Sequence, residues 1–191
     1  MKLHKPYLNK LFFPEVITEN NSGITITFDD GPSDSTLKIL ELLDKLQIKA
    51  TFFVTGKNIE KHYTAFEAIR KKGHQIANHS FFHFSAFKVS ANFYINSAII
   101  NARLTQSKLF RPPYGHLTPY TYKILKRKFK IILWSYMTFD FIGYTQIKQP
   151  YIKDKVIIVL HDKSNTFNII EKQLIQIKEI AFNKNIKFRL L

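Results

Sequence analysis

Two aspartates stand side by side at Asp29 and Asp30, where the apolar run "ITITF" ends and the chain turns through Gly31 and Pro32. Two carboxylates at one strand end repel each other, and unless something neutralises them one tends to keep its proton. A divalent cation removes the conflict. One aspartate can ligate it while the other stays ionised beside it, free to act as a base on water. Two histidines, His79 and His83 in "NHSFFHFS", are four residues apart. On a helical turn that spacing puts both imidazoles on one side, where they can grip a single ion. Two histidines and one aspartate form a nitrogen/oxygen set with open positions, suited to zinc and also to cobalt or nickel. Taken singly, each signal is weak. A His-x-x-x-His pair is usually incidental, and Asp30 or Asp34 could simply cap the helix that follows. A capping turn accounts for one aspartate, not for two beside a histidine pair.

The elements that must position these residues follow from periodicity. Strands are predicted at 24–28, 50–54, 75–78, 109–110, 131–135, 156–160 and 186–190 from β-branched and continuous apolar runs. Helices are predicted at 35–46, 58–72 (stopping at Gly73), 90–105, 118–128 and 164–183. Strands alternating with helices imply parallel pairing and right-handed crossovers, and continuous apolar strands imply a sheet covered on both faces. The expected fold is α/β, a single-domain distorted (β/α) barrel, with an open doubly wound sheet as the competing arrangement. In either, the C-terminal strand ends share one mouth. Five segments meet there: Asp29–Asp30, His79–His83, "RPPYG" from Arg111, Asp140, and "VLHD" with His161. Residues 1–23 are expected to form an N-terminal strap and 24–191 the domain. "KLFFPEV" is expected to lie across the barrel, with contact to a membrane as the alternative.

Composition narrows the classes. With 191 residues and 45% hydrophobic content, the chain can bury one core. No apolar run reaches membrane-spanning length. Cysteine is absent, which excludes disulfides, thiolate ligands and a cysteine nucleophile. The net charge of +15 invites an anionic partner, but the lysines are scattered, and a solvated surface is the better reading. Peripheral contact with an anionic surface stays open. The N-terminus lacks the apolar stretch and cleavage site of a secretory signal, so the expected location is cytoplasmic, or extracytoplasmic for a chain cut from a longer precursor.

"TFDDGP", "HSFFH", "RPPYG" and "VLHD", in this order, resemble the signature blocks of the polysaccharide deacetylases, the family of the nodulation-factor chitooligosaccharide deacetylases. The resemblance runs from about Ile24 to the C-terminus and implies a distorted β/α barrel. It implies metal-dependent hydrolysis of N-acetyl groups on an amino sugar in a poly- or oligosaccharide, chitin-oligomer or peptidoglycan-like. By that resemblance Asp29 is the general base. Asp30, His79 and His83 ligate the metal, zinc before cobalt or nickel. Ser80 braces the histidine loop, Arg111 orients the base, the Tyr114 N–H helps hold the oxyanion, and His161 is the general acid. Pro113, Phe141, Val159 and Leu160 are expected in the substrate pocket. The fourth block departs from the family's DxxDW pattern, since "MTFDF" puts Met137 for the first aspartate and Phe141 for the tryptophan. Asp140 survives as the partner of His161. The segment from Phe141 to Lys155 is short for a crossover helix, so the groove there is expected to be reshaped or open.

The remaining residues read more blandly. His4, His62 and His74 are expected at the surface or at helix ends. His116 reads as a loop histidine without a partner and Trp134 as core. One of Phe81 and Phe82 is expected under the metal loop, the other free to stack on a sugar. A lectin-like relative that binds glycan without turnover is the competing function. No nucleic-acid motif accompanies the charge, and no specific nucleic acid is expected.

Overall fold

A computed structural model of the chain describes residues 12–191. Its frame is one sheet of seven parallel strands, β1 (Thr25–Asp29), β2 (Thr51–Val54), β3 (Gln75–Asn78), β4 (Leu109–Phe110), β5 (Lys130–Ile131), β6 (Tyr136–Met137) and β7 (Ile157–His161). Their order across the sheet is β5-β4-β3-β2-β1-β7-β6. The helices are α1 (Thr36–Leu46), α2 (Gly56–Lys61), α3 (Tyr63–Lys71), α4 (Ala91–Thr105), α5 (Pro119–Leu125) and α6 (Phe167–Asn183).

The sheet curls until its two edges nearly meet. Ile132 N donates to Phe110 O on β4, and Ser135 N donates to Ile157 O on β7. Three residues of chain therefore span the gap, about 10 Å at full extension. The segment before β1 closes the same gap. Ile17 bridges to Ile132 and Glu19 to Val156, with Leu133 N donating to Ile17 O and Asn20 N to Lys155 O. Phe13 and Val16 of "KLFFPEV" are buried against Ile131–Trp134, while Phe12 is exposed. Lys10 and Leu11 lie outside the described residues. The architecture is the distorted (β/α) barrel rather than the open doubly wound sheet.

Strand alternation builds two cores. Ile26, Phe28, Phe52, Ile158 and Leu160 face α1, α3 and α6, where Ile39, Leu43, Ile69 and Leu174 meet them. Phe53, Ile157 and Val159 belong to the other cluster, with Phe110, Ile132 and Leu133. Each fully buried side chain of this kind is worth about 1.5–3 kcal/mol over its exposed state.

Three expected elements differ. The helix expected at 58–72 is two, α2 and α3, broken at His62, whose φ of −125° and ψ of 46° are not helical. The strand expected at 131–135 stops at Ile131, because the chain must leave that edge to reach β6 on the other. The closing strand expected at 186–190 shrinks to one bridge, Ile24 to Phe188. The connection from Met137 to Ile157 runs through two 3-10 turns, Asp140–Ile142 and Gln149–Tyr151, which leave Phe141, Ile142 and Tyr144 exposed. No helix among the described residues is long and apolar enough to cross a membrane.

Candidate active site

The two histidines come from a loop, not a helical turn. β3 ends at Asn78 and the chain turns through Ser80 (φ 67°) and His83 (φ 57°). The two imidazoles share a side through this turn and not, as expected, through helical spacing. Left-handed residues bring the rings together at 4.9 Å between centroids. Such a backbone costs of order 1–3 kcal/mol per residue and persists only where surrounding bonds over-determine it. Ser97 on α4 supplies them. Its Oγ lies 2.7 Å from Ser80 Oγ and accepts from Phe81 N and Phe82 N at 3.1 Å, while its carbonyl takes Phe81 N as well. Asn78 Oδ1 accepts from Ser80 N, and Asn101 Nδ2 donates to both Asn78 Oδ1 and Val54 O.

His83 Nε2 lies 2.9 Å and His79 Nε2 3.5 Å from Asp30 Oδ1. One ligand atom from each of the three residues falls within 4.8 Å of the others. His79 Nδ1 sits 2.8 Å from Arg111 O, and a carbonyl only accepts, so Nδ1 carries the proton and Nε2 offers its lone pair. Ligating histidines are commonly held in this way. Two nitrogens and one carboxylate oxygen with a fixed tautomer fit a divalent cation. Burial opposes ionisation of Asp30, but hydrogen bonds and charge from His79 and His83 outweigh it and hold the carboxyl far below its usual range.

Asp29 and His161 are register partners on adjacent strands, β1 and β7, both facing the barrel interior. Asp29 is buried and accepts from Arg111 NH1 at 2.6 Å. Arg111 has no exposed surface. It donates to Thr27 Oγ1 (2.7 Å) and Leu133 O (2.9 Å) and lies over the Phe53 ring at 4.0 Å. Burial pulls the pKa of this guanidinium down and the Asp29 charge pushes it up. His161 Nδ1 is 2.8 Å from Asp140 Oδ1, and its backbone N–H donates to Asp140 Oδ2 at 2.7 Å. Burial lowers the His161 pKa, but the Asp140 hydrogen bond and charge reverse that and raise it above the ordinary value. Where the family has its first fourth-block aspartate, Met137 now lines the cavity, and the neighbouring Thr138 Oγ1 donates to Asp140 Oδ1 at 3.1 Å.

Asp162 is a residue that sequence reasoning left without a role. It is buried, accepts from Ser33 Oγ and Thr36 Oγ1 at 2.6 Å, and gives its N–H to Asp29 O. Gly31 is required beside it, since a Cβ there would collide with the Asp162 carboxylate. Asp162 thus ties the "DDGPS" turn to β7. Burial raises its pKa to about 6. Asn58 Nδ2 donates to Asp30 O at 2.6 Å and holds the other side of the turn. The signal available for Asp162 was its place beside His161 at a strand end.

A cavity of about 560 Å³ opens over these groups, walled by Phe81, Phe82, Trp134, Met137 and Phe141. Phe141 packs edge-on against His161 at 4.6 Å. Tyr114 stands at the rim with φ 60° and an exposed ring. The N–H groups of Gly115 and His116 are spent on Pro112 O and Pro113 O. Leu160 is a correction to the expected pocket: period-2 alternation turns it away from His161 into the core under the helices. Val159 faces the interior but is sealed beneath the cavity, and Pro113 is buried at the start of its turn; neither lines it. Trp134 is nearly buried, as expected of core, yet its ring reaches the cavity wall. Both Phe81 and Phe82 line the cavity, Phe82 stacking on Phe93 at 5.3 Å. His116 does have a partner, Ser85 Oγ at 2.9 Å. His74 is not at the surface. It is buried, takes Ala50 N at 3.2 Å, and burial pulls its pKa down to about 4. His4 lies outside the described residues.

A curled parallel sheet with a two-histidine, one-carboxylate set and two flanking acid–base pairs at its strand ends defines a metal-site (β/α) barrel. The sequence profile described as polysaccharide deacetylase matches residues 17–128, more than half of the chain. The chain belongs to the polysaccharide deacetylase family. It is 36% identical over 132 residues to a peptidoglycan-N-acetylglucosamine deacetylase of Bacillus cereus, covering 65% of this chain and 48% of the relative. It is 37% identical over 127 residues to chitin deacetylase 2 of Saccharomyces cerevisiae, covering 62% and 39%. The chain therefore matches about half or less of the length of these curated relatives. Among solved structures, a peptidoglycan N-acetylglucosamine deacetylase in complex with 4-naphthalen-1-yl-N-oxidanyl-benzamide superposes with a TM-score of 0.83. Its identity is 29%, covering 97% of this chain and 94% of that one.

Proposed function

We propose that this chain is a metal-dependent hydrolase that removes N-acetyl groups from an amino sugar in a poly- or oligosaccharide, chitin-oligomer or peptidoglycan-like. The observation that carries this reading is the register pairing of Asp29 with His161, each braced by its own buried partner, beside the gathered Asp30, His79 and His83. Those three residues would hold the cation, zinc before cobalt or nickel by ligand type. When bound, a cation supplies Lewis acidity toward the amide oxygen and lowers the pKa of a neighbouring water.

The chain's own residues do the rest. Asp29 takes a proton from the attacking water as oxygen bonds to the amide carbon. Arg111, 2.6 Å away, holds that carboxylate in place and aims it. The Tyr114 N–H donates to the oxygen on which charge develops. His161, proton on Nε2 and Nδ1–H held by Asp140, passes its proton to the amide nitrogen as the C–N bond breaks. Such assistance is typically worth about 10²- to 10⁴-fold. Acetate and a free amine leave.

The test is acetate release from chitin oligomers and from peptidoglycan fragments, with zinc and with chelator. Metal-dependent release that disappears in Asp29→Asn is the expected result. Tight glycan binding with no acetate from any substrate would replace the hydrolase with a lectin-like protein.

A further inference from the structure

The charges lining the cavity do not balance. Its carboxylates are Asp29 and Asp30. Asp29 is matched by Arg111, and the Asp140 carboxylate behind the cavity is matched by His161. Asp30 belongs to the candidate ligand set. Two lysines, Lys57 and Lys163, then line the cavity in excess. They stand on opposite flanks. Lys57 lies over the Phe82 ring at 5.3 Å, on the side of the histidine loop, and Lys163 over the Phe141 ring at 5.8 Å, on the side of β7. Lys57 has no carboxylate within ion-pair distance among the described residues. Lys163 meets only Asp30, at 3.0 Å from Oδ2. When Asp30 serves as a ligand, its charge is taken by the cation, and Lys163 is left beside a centre of net positive sign.

Each cation is also paired with an aromatic face, and that combination suits a sugar ring bearing an acid. The sugar meets the aromatic wall of the cavity while its charge reaches the ammonium beside that wall. A neutral glycan would leave both ammonium groups uncompensated at the walls of a cleft, where opposite charge is drawn in most strongly.

We propose that Lys57 and Lys163 select N-acetylated glycans that carry an anionic substituent, a carboxylate or a phosphate, on sugar units flanking the one deacetylated. This rests on the deacetylase reading above. An exposed ion pair is typically worth about threefold in affinity, so the two together favour the anionic substrate by about tenfold in KM.

The experiment compares KM for acetate release, in the zinc-loaded protein, on four probes. They are neutral chitooligosaccharides, the same oligomers 6-O-phosphorylated, oligosaccharides whose alternate units carry a lactyl carboxylate, and the methyl ester of the last. The ranking is measured again as binding affinity in Asp29→Asn, which needs no turnover. Expected is tighter use of one or both anionic probes, lost on esterification. The arm that shows it identifies carboxylate or phosphate. Lys57→Gln/Lys163→Gln should abolish the preference. Lys123→Gln/Lys128→Gln, which removes the same charge from exposed positions outside the cavity, should keep it. Equal KM and equal affinity for neutral and anionic probes would overturn the proposal. So would an equal loss in the Lys123/Lys128 variant, which would assign the effect to net charge. Selective binding without acetate release would instead overturn the hydrolase reading and leave the selectivity standing.

Discussion

Removing the guanidinium of Arg111 leaves Asp29 as a buried carboxylate without a counter-charge. Arg111→Met is therefore expected to cost about 3–5 kcal/mol of stability, read by denaturant unfolding, together with all measurable acetate release. Asp140→Asn is subtler. The Asp140 charge raises the His161 pKa, so losing it should move the basic limb of the pH–rate profile to lower pH and reduce kcat near neutrality by about 10²-fold. The same pair has a stability consequence. A group whose folded pKa is raised contributes fully below its unfolded pKa, and that contribution is lost as pH rises through the folded one. His74 behaves oppositely. Held neutral in the fold down to about pH 4, it is protonated first in the unfolded chain, so it makes stability rise with pH between about 4 and 6.5. His74→Gln should flatten that part of a urea-stability profile, and an unchanged slope would contradict the assignment. At this scale the sequence was most legible where residue types are rare at strand ends, as with Asp29, Asp30 and His161. It was least legible for Leu160, where nearness to His161 along the chain hid the alternation that turns it away.

The histidine loop is where element-level reasoning from sequence reaches its end. His79 and His83 were found by their type and spacing, but the left-handed turn that unites them is set by Ser97, fourteen residues beyond His83 on another element. No local pattern carries that information, because the deciding bonds are tertiary. Ser97→Ala removes the hydroxyl that accepts from Phe81 N and Phe82 N and lies against Ser80 Oγ. Zinc affinity, measured by chelator competition, is expected to fall about 10- to 100-fold, the range for outer-shell partners of metal ligands. Unchanged affinity would mean that the loop holds its shape without α4. The fused helix expected at 58–72 has a similar origin: apolar spacing runs through His62, but the backbone break there is not written in periodicity.

The alternation of strands and helices and the polar groups at strand ends were enough to read a parallel α/β frame and its mouth, with the barrel preferred to an open doubly wound sheet. The order of the strands was not, because β4, β5 and β6 are two residues each and their partners are chosen by closure of the sheet. Closure also recruits the segment before β1, so Val16→Asp should destabilise the fold by several kcal/mol by placing a charge between Ile17 and the buried run at Ile131–Trp134. Cation binding acts on the molecule as a whole. At a free zinc concentration of 100 times its Kd, the folded state gains about 2.7 kcal/mol, which chelator removes as a fall in Tm. The central claim is that Asp30, His79 and His83 seat one cation while Asp29 stays free beside it. Zinc stoichiometry by calorimetry in the four single variants tests it most directly. The account predicts one zinc per chain in the parent and in Asp29→Asn, and none in Asp30→Ala, His79→Ala or His83→Ala. A full equivalent retained by any of these last three, or lost in Asp29→Asn alone, would contradict it.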